Sequence, residues 1–344
     1  LYYYKSNYKI IFASELKAIK KFENINLKID HSALKNYFNY GFVPAPLTIY
    51  KDVYKLRPGQ LVSFDLNFNF EELNYSNSQK NNQTHEFKND KNTINELDTL
   101  LNEAVSKMSF SDAPIGSLLS GGTDSSIISA IFQSQKESKI DTFSLNNEDP
   151  RYDESKYSSS IARQINSRHH TISLTKNDYS SFFNMSAKIF CEPFSDSSQI
   201  PTYFISKYSS KKVKVVLSGD GADELFCGYN RYIYFRKART ISNLIKFFRV
   251  NNLLLKISPY QYEKIYKLIT YFSSHKNLIN FGDKITKLIS SSESKNSKEF
   301  YNYIISIWKS NSVFNDHFIS KSGNSNFINN MEKAENLIDI MNFD

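Results

Sequence analysis

The chain has 344 residues, 40% of them hydrophobic, and a formal net charge of +8. That length supports one large core or two ordinary ones, and no run of about 18 apolar residues or export-type leader occurs, so the cytoplasm is the expected compartment. Two cysteines, Cys191 and Cys227, make no disulfide framework and show no metal-ligand spacing with the six histidines. Lysine and arginine are spread among asparagine, serine and acids, which argues against nucleic acid and membrane as partners. The first residue is Leu and the last follows an apolar run, so both ends are expected to be cut.

Residues 2–4 and 8–13 are rich in β-formers and predict two short strands joined by the polar Lys5-Ser6-Asn7 turn. Ser14 to Ala18 starts a helical turn. Residues 56–66, opened by Pro58-Gly59, predict a further hairpin strand. Residues 67–92 are rich in Asn, Ser, Gln and Lys and predict a linker or a long exposed loop.

From Thr93 the pattern turns helical. Ile94, Leu97, Leu100, Leu101, Ala104, Val105 and Met108 share a face, and Thr93 with Glu96 fits a capping box. Strands at 115–119, 141–145, 170–174 and 213–217 then alternate with helices at 127–135 and 154–165. Such alternation predicts an α/β fold, a parallel sheet flanked by helices with ligands at the carboxyl ends of its strands. After Tyr229 the periodicity is helical, and the serine-rich run 290–298 is expected to be a loop. Between 231 and 249, Arg231, Arg236, Lys237, Arg239, Lys246 and Arg249 occur without an acid amid Tyr232, Tyr234, Phe235, Phe247 and Phe248. Aromatics between cations can stack bases, but on a helix the same pattern gives an inward apolar face and a wet basic one, the reading expected here.

Two stretches carry chemistry. Residues 115–126 read Ile-Gly-Ser-Leu-Leu-Ser-Gly-Gly-Thr-Asp-Ser-Ser, an apolar strand, two glycines and a helix start. Gly121 and Gly122 let the backbone take positive φ and approach a bulky anion, while Ser120, Asp124 and Ser125 sit where helical N–H groups would face a phosphate. No Gly-Lys-Ser/Thr follows, so this is not a Walker loop. Residues 215–226 repeat the strand, Ser-Gly, acid logic with Asp220, Asp223 and Glu224 close together. On a helix opening near Asp223 these acids cannot all point one way. They read either as capping groups or as proton acceptors and Mg²⁺ ligands.

The loop at 120–126 resembles the Ser-Gly-Gly-x-Asp-Ser loop of the ATP pyrophosphatases. Taken with 217–229, with Asp149-Pro150-Arg151-Tyr152-Asp153-Glu154-Ser155-Lys156-Tyr157, with Glu192-Pro193-Phe194-Ser195-Asp196-Ser197-Ser198 and with Pro201-Thr202-Tyr203, it resembles the synthetase domain of glutamine-hydrolysing asparagine synthetases. Phe12-Ala13-Ser14-Glu15-Leu16-Lys17-Ala18, and Gly41 to Pro46 through Arg57-Pro58-Gly59, look like the end of that family's glutaminase domain. The resemblance covers nearly the whole chain.

It implies an adenine nucleotide α-hydrolase-like PP-loop fold: 1–75 the end of a glutaminase (N-terminal nucleophile) domain, 76–92 a polar linker, and 93–344 a synthetase domain ending in a helical region and lacking its C-terminal helices. It further implies a ligase that makes asparagine from aspartate through β-aspartyl-AMP. Ser120, Gly121, Gly122, Thr123, Asp124, Ser125 and Ser126 would hold the ATP pyrophosphate, with Asp124 also binding Mg²⁺. Leu118, Leu145, Ser218 and Gly219 would line the adenosine site, although both leucines read equally as strand ends. Asp220 would assist ammonia attack, Asp223 and Glu224 would stand around aspartate and metal, and Tyr229 would lie near the ammonia route or serve as a core tyrosine. The implied partners are aspartate, ATP, and glutamine or ammonia, with a homodimer left open.

The family's glutaminase nucleophile is an N-terminal cysteine that neither Cys191 nor Cys227 can replace, so the chain as it stands is expected not to hydrolyse glutamine, and its ammonia-dependent activity stays open. Cys191 stands where the family has Asp and Cys227 where it has Gly, and both read as buried small residues. Two alternatives remain at this level: an amide synthetase or amidotransferase acting on another carboxylate, and a nucleotide-binding protein without turnover.

Overall fold

The computed structural model describes residues 1–6, 8–23, 25–65, 69–75, 91–148, 153–270 and 280–308. Residues 76–90 of the expected linker, 149–152 of the Asp149–Tyr157 motif and the tail from 309 on lie outside the described residues. Contacts divide the chain into two compact units, one of Leu1–Ser76, Glu192–Phe194 and Asp223–Asp344, the other of Asn77–Cys191 and Ser195–Ala222.

The first unit opens with β1 (Tyr2–Ser6) and β2 (Lys9–Ala13), followed by α1 (Leu16–Lys20) and α2 (His31–Tyr40). Asp30 caps α2 by accepting the N–H groups of Ser32 and Ala33 at 2.7 and 3.1 Å, and Gly41 ends it with φ 83°. Strand β3 (Val53–Lys55) completes an antiparallel sheet of order β2-β1-β3. Then β4 (Gln60–Phe64) pairs with β5 (Phe70–Asn74), a strand in the stretch expected to be linker or loop. The surrounding asparagines and serines mask it in the composition. The pairing is held by cross-strand contacts, with the Phe64 and Phe70 rings 5.2 Å apart and Gln60 Nε2 donating to Glu72 at 2.7 Å.

The second unit is the alternating one. Helix α3 (Lys91–Met108) begins ahead of Thr93, which therefore lies inside the first turn and not at the cap. There follow β6 (Ile115–Leu118), α4 (Thr123–Ser134), β7 (Asp141–Asn147), α5 (Ser155–Gln164), β8 (Arg168–Leu174), α6 (Lys176–Ile189), α7 (Gln199–Ser209) and β9 (Val215–Leu217). The four strands pair in parallel in the order β8-β7-β6-β9. Alternate residues feed opposite faces of the sheet. Ile115 and Leu217 pack with Val105, Ile131, Phe132 and Ile140 from the side of α3 and α4. Leu118 and Val216 pack on the other side with Phe143, Ile205 and Val213. Gly116 is required between them, because a Cβ there would lie 2.7 Å from Phe143 Cε2 and 2.8 Å from the Asp141 carbonyl oxygen.

The chain returns to the first unit with α8 (Ala222–Phe226), which straddles the boundary, and then α9 (Asn230–Phe247), α10 (Asn251–Leu254), α11 (Pro259–Thr270), α12 (Phe281–Ser290) and α13 (Ser297–Ile305). Tyr40 of α2 is buried with Phe235 of α9 and with Phe300 and Tyr301 of α13, and its hydroxyl donates to Asn302 at 2.7 Å. The serine-rich run joins α12 to α13 as the expected loop at 294–296, but its first half is ordered and enclosed. Ser291–Glu293 is a 3₁₀ turn, and Ser291, Ser292 and Ser294 are buried. The hydroxyls of Ser291 and Ser292 donate to the carbonyls of Leu288 and Ile289 at 2.6 and 2.7 Å, so serine here satisfies its own helix end rather than water.

On α9, Tyr232 and Phe235 are buried as the helical reading predicts, but Tyr234, Phe247 and Phe248 are exposed. Two of the basic residues are tied to the serine-rich turn: the half-buried Arg239 donates to Ser294 Oγ at 2.5 Å, and the exposed Lys246 donates to the Ser294 carbonyl at 2.9 Å. Among the described residues no helix is long and apolar enough to cross a membrane.

Candidate active site

The parallel register sets the site. Ile115 to Ser117 pair with Val215 to Leu217, so β6 and β9 are neighbours and the two Ser-Gly loops that follow them leave the sheet at one edge. Their contact is close: a Cβ on Gly219 would lie 2.9 Å from the Ser125 nitrogen and 3.0 Å from the Asp124 carbonyl carbon. Any side chain at 219 would push the second loop off the start of α4.

The first loop is shaped by its own hydroxyls. The oxygens of Ser120 and Ser125 are 2.9 Å apart, the Ser120 N–H donates to Ser125 Oγ at 3.2 Å, and the Gly122 N–H donates to Ser120 Oγ at 3.2 Å. Gly121 has φ +90°, and a Cβ on it would lie 2.6 Å from both the Ser158 nitrogen and Tyr157 Cβ. The loop thus lies directly against the first turn of α5. Asp153 fixes that turn by accepting the Ser155 N–H at 2.9 Å, and its hydrogen bonds with the Ser155 side chain and backbone hold its carboxyl below the usual range.

Thr123 opens α4, and Asp124 stands in its first turn, where the helix field favours a negative charge. The Ser126 hydroxyl is buried with no hydrogen-bond partner. Leu118 and Leu145 direct their side chains into the apolar clusters around Phe143, Ile205 and Val213, in keeping with the strand-end reading. In the second loop Ser218 Oγ donates to Asp220 Oδ2 at 3.0 Å, and Asp220 is exposed.

Asp223, Glu224 and Tyr229 belong to the first unit. Asp223 and Glu224 occupy the opening turn of α8. A Cβ on Gly228 would clash with Asp223 Oδ1, so that carboxylate lies over a bare backbone. Tyr229 donates to Glu224 Oε1 at 2.8 Å, and the Arg231 guanidinium sits 3.9 Å from the Tyr229 ring centroid. The hydrogen bond to Glu224, aided by burial, pushes the Tyr229 hydroxyl up to about 12. Arg231 had no place in the sequence reading beyond a basic stretch. Its one signal was its position two residues past Tyr229 at a helix start. Cys227 corrects an expectation: it is exposed, with φ 60°. The turn after α8 needs a left-handed residue, which accounts for the glycine of the resembling family better than burial does. Cys191 is half-buried.

No group of three or more His, Cys, Asp or Glu positioned to share a metal occurs among the described residues. Magnesium is commonly held by one or two carboxylates together with substrate phosphates, and Asp124, a hard oxygen donor beside the first Ser-Gly loop, fits that pattern.

Residues 96–321 match the asparagine synthase family, and residues 1–76 match the glutamine amidotransferase domain. The chain is 36% identical over 259 residues to a Methanocaldococcus jannaschii protein provisionally named asparagine synthetase (glutamine-hydrolyzing) 2, covering 72% of this chain and 48% of that one. It is 34% identical over 236 residues to asparagine synthetase (glutamine-hydrolyzing) 1 of Bacillus subtilis, covering 67% and 36%. With the rat asparagine synthetase (glutamine-hydrolyzing) it shares 35% identity over 155 residues, or 42% and 26%. The matched stretches span half or less of the length of these curated relatives. By the family match, which takes in most of its length and every residue of the two Ser-Gly loops, the chain belongs to the asparagine synthase family.

Proposed function

We propose that this chain serves the ATP-dependent conversion of aspartate to asparagine through a β-aspartyl-AMP intermediate, with nitrogen drawn from glutamine or ammonia. The observation that carries the reading is the seating of Gly219 against Asp124 and Ser125, which supports a single nucleotide site built from both Ser-Gly loops. Family membership supports the reaction.

A carboxylate is a poor electrophile, so the aspartate side chain must first attack the α-phosphorus of ATP, releasing pyrophosphate. The N–H groups of the loop and of the first turn of α4, with the hydroxyls of Ser120, Thr123 and Ser125, receive the charge that grows on the leaving group, and Ser126 supports the turn from beneath. Mg²⁺, held by Asp124 and the phosphates, would add charge neutralisation there. Ser218 and Gly219, with Leu118 and Leu145 behind them, bound the adenosine end. Ammonia must attack the acyl carbon as NH₃, breaking its bond to the AMP oxygen so that AMP leaves, and lose a proton, for which Asp220 is the acceptor, its Oδ2 oriented by Ser218 at 3.0 Å. Asp223 and Glu224 hold the aspartate and metal side, and Tyr229 keeps Glu224 in one orientation. Residues 1–75 are the closing part of a glutaminase domain and 93–344 the synthetase part.

The test is formation of AMP and pyrophosphate from ATP that depends on aspartate, with other carboxylic acids offered in its place. Turnover with another acid and none with aspartate would reject the assignment.

A further inference from the structure

Glu192 carries a charge that the chemistry above does not use. Its side chain is only 10% exposed, and its Oε2 lies 2.5 Å from the Lys55 ammonium, itself 20% exposed. The other oxygen, Oε1, accepts the Ile49 N–H at 2.7 Å, and the same ammonium donates to the Val43 carbonyl at 2.5 Å. Val43 and Ile49 are buried. The pair therefore closes a small enclosed network tied to backbone at two points.

Stability alone does not account for such a network, because a buried ion pair roughly breaks even against an apolar pair of the same volume. What it does supply is directional: two charges and two backbone bonds accept one arrangement of three chain segments. Those segments have different origins. Val43, Ile49 and Lys55 fall in the glutamine amidotransferase match, and Glu192 falls in the asparagine synthase match. Between residues 77 and 222, Glu192, Pro193 and Phe194 are the residues that cluster with the first unit. Within that unit the carboxylate holds them there.

We propose that Lys55 and Glu192 are positioning residues that fix the amidotransferase segment and the synthase segment in the arrangement needed to pass nitrogen from one to the other. This rests on the function proposed above. Neither residue is among those assigned above to the nucleotide, the aspartate or the ammonia, so each should leave the ammonia-fed reaction intact while loosening its coupling to glutamine hydrolysis.

The test uses the protein expressed from its whole reading frame and compares Glu192→Gln, Lys55→Met and Lys55→Arg with the unaltered protein. Glu192→Gln keeps an acceptor for the Ile49 N–H and removes the charge. Lys55→Arg keeps the charge and is the conservative control. Asparagine formed per glutamate released is measured with glutamine as nitrogen source, beside the rate with ammonium chloride in its place. With Glu192→Gln and Lys55→Met the expected result is an ammonium-fed rate within about twofold of the unaltered protein and a ratio lowered at least about threefold, with Lys55→Arg near the original ratio. An unchanged ratio in Glu192→Gln, or a ratio that moves only in step with the ammonium-fed rate, overturns the proposal. Lys55→Met leaves a buried carboxylate unpaired, so if it does not fold Glu192→Gln decides alone. If the unaltered protein forms no AMP from ATP and aspartate, the function itself fails and this inference falls with it.

Discussion

Tyr229 shows how a residue's role follows from its neighbours more than from its type. Its hydroxyl donates to Glu224 at 2.8 Å while Arg231 covers its ring, so the side chain is held from both ends. Tyr229→Phe removes one bond and little volume. On the proposed function the expected outcome is a fall of about tenfold in the aspartate-dependent rate with the KM for ATP nearly unchanged, read by steady-state AMP formation. The raised Tyr229 pKa also fixes a sign. A group held protonated in the folded state, from 10.0 up to about 12, contributes stability that is present below pH 10 and lost as pH rises toward 12. The gap in melting temperature between the unaltered protein and Tyr229→Phe should therefore close over that interval, and a gap that widens would contradict the hydrogen bond.

The loop between β6 and α4 separates two uses of glycine. At Gly121 the φ of +90° and the backbone of Tyr157 and Ser158 leave no room for a Cβ. Gly121→Ala should cost folding stability of about 2 kcal/mol or more, measured by urea unfolding, and nucleotide binding with it. At Gly122 the φ is −69° and an added Cβ meets only Ser120 Oγ, at 3.3 Å. Gly122→Ala should therefore fold within about 0.5 kcal/mol of the original, and on the proposed function any loss of ATP affinity then reports the approach of the phosphates themselves. The sequence made this loop legible because strand, glycine pair and helix start follow one another along the chain. The same locality exposed β6 to β9 and the parallel sheet. It failed at β5 and at Ser291–Glu293, where Asn and Ser dominate the composition but pair across strands or bond their own helix carbonyls. Composition reports solubility, and these residues satisfy their polar groups inside the fold. The packing of Gly121 on α5 was beyond reach for a different reason, since only the fold brings residue 121 against residue 158.

At the scale of the molecule, sequence order is a poor guide to which parts cluster. Tyr40 and Asn302 are bonded across 262 positions, and the helices from α9 on gather with the opening strands. Charge also acts at this scale. The chain carries +8 at neutral pH, so every histidine that gains a proton adds to an existing positive excess. His169 resists that change. Its ring lies between Thr142 Oγ1 at 2.9 Å and Ser144 Oγ at 3.1 Å, and burial, with neighbouring His170, lowers its pKa below the ordinary 6.5. A group whose folded pKa is depressed contributes stability that is full above the unfolded value and is lost as pH falls through the folded one. The melting temperature should accordingly drop as pH is lowered from 7 through the region below 6.5. His169→Gln, which can bond both hydroxyls without titrating, should start lower at pH 7 and fall less steeply. Parallel curves for the two proteins would show that His169 does not carry the acid sensitivity, and would leave the general positive excess as its source.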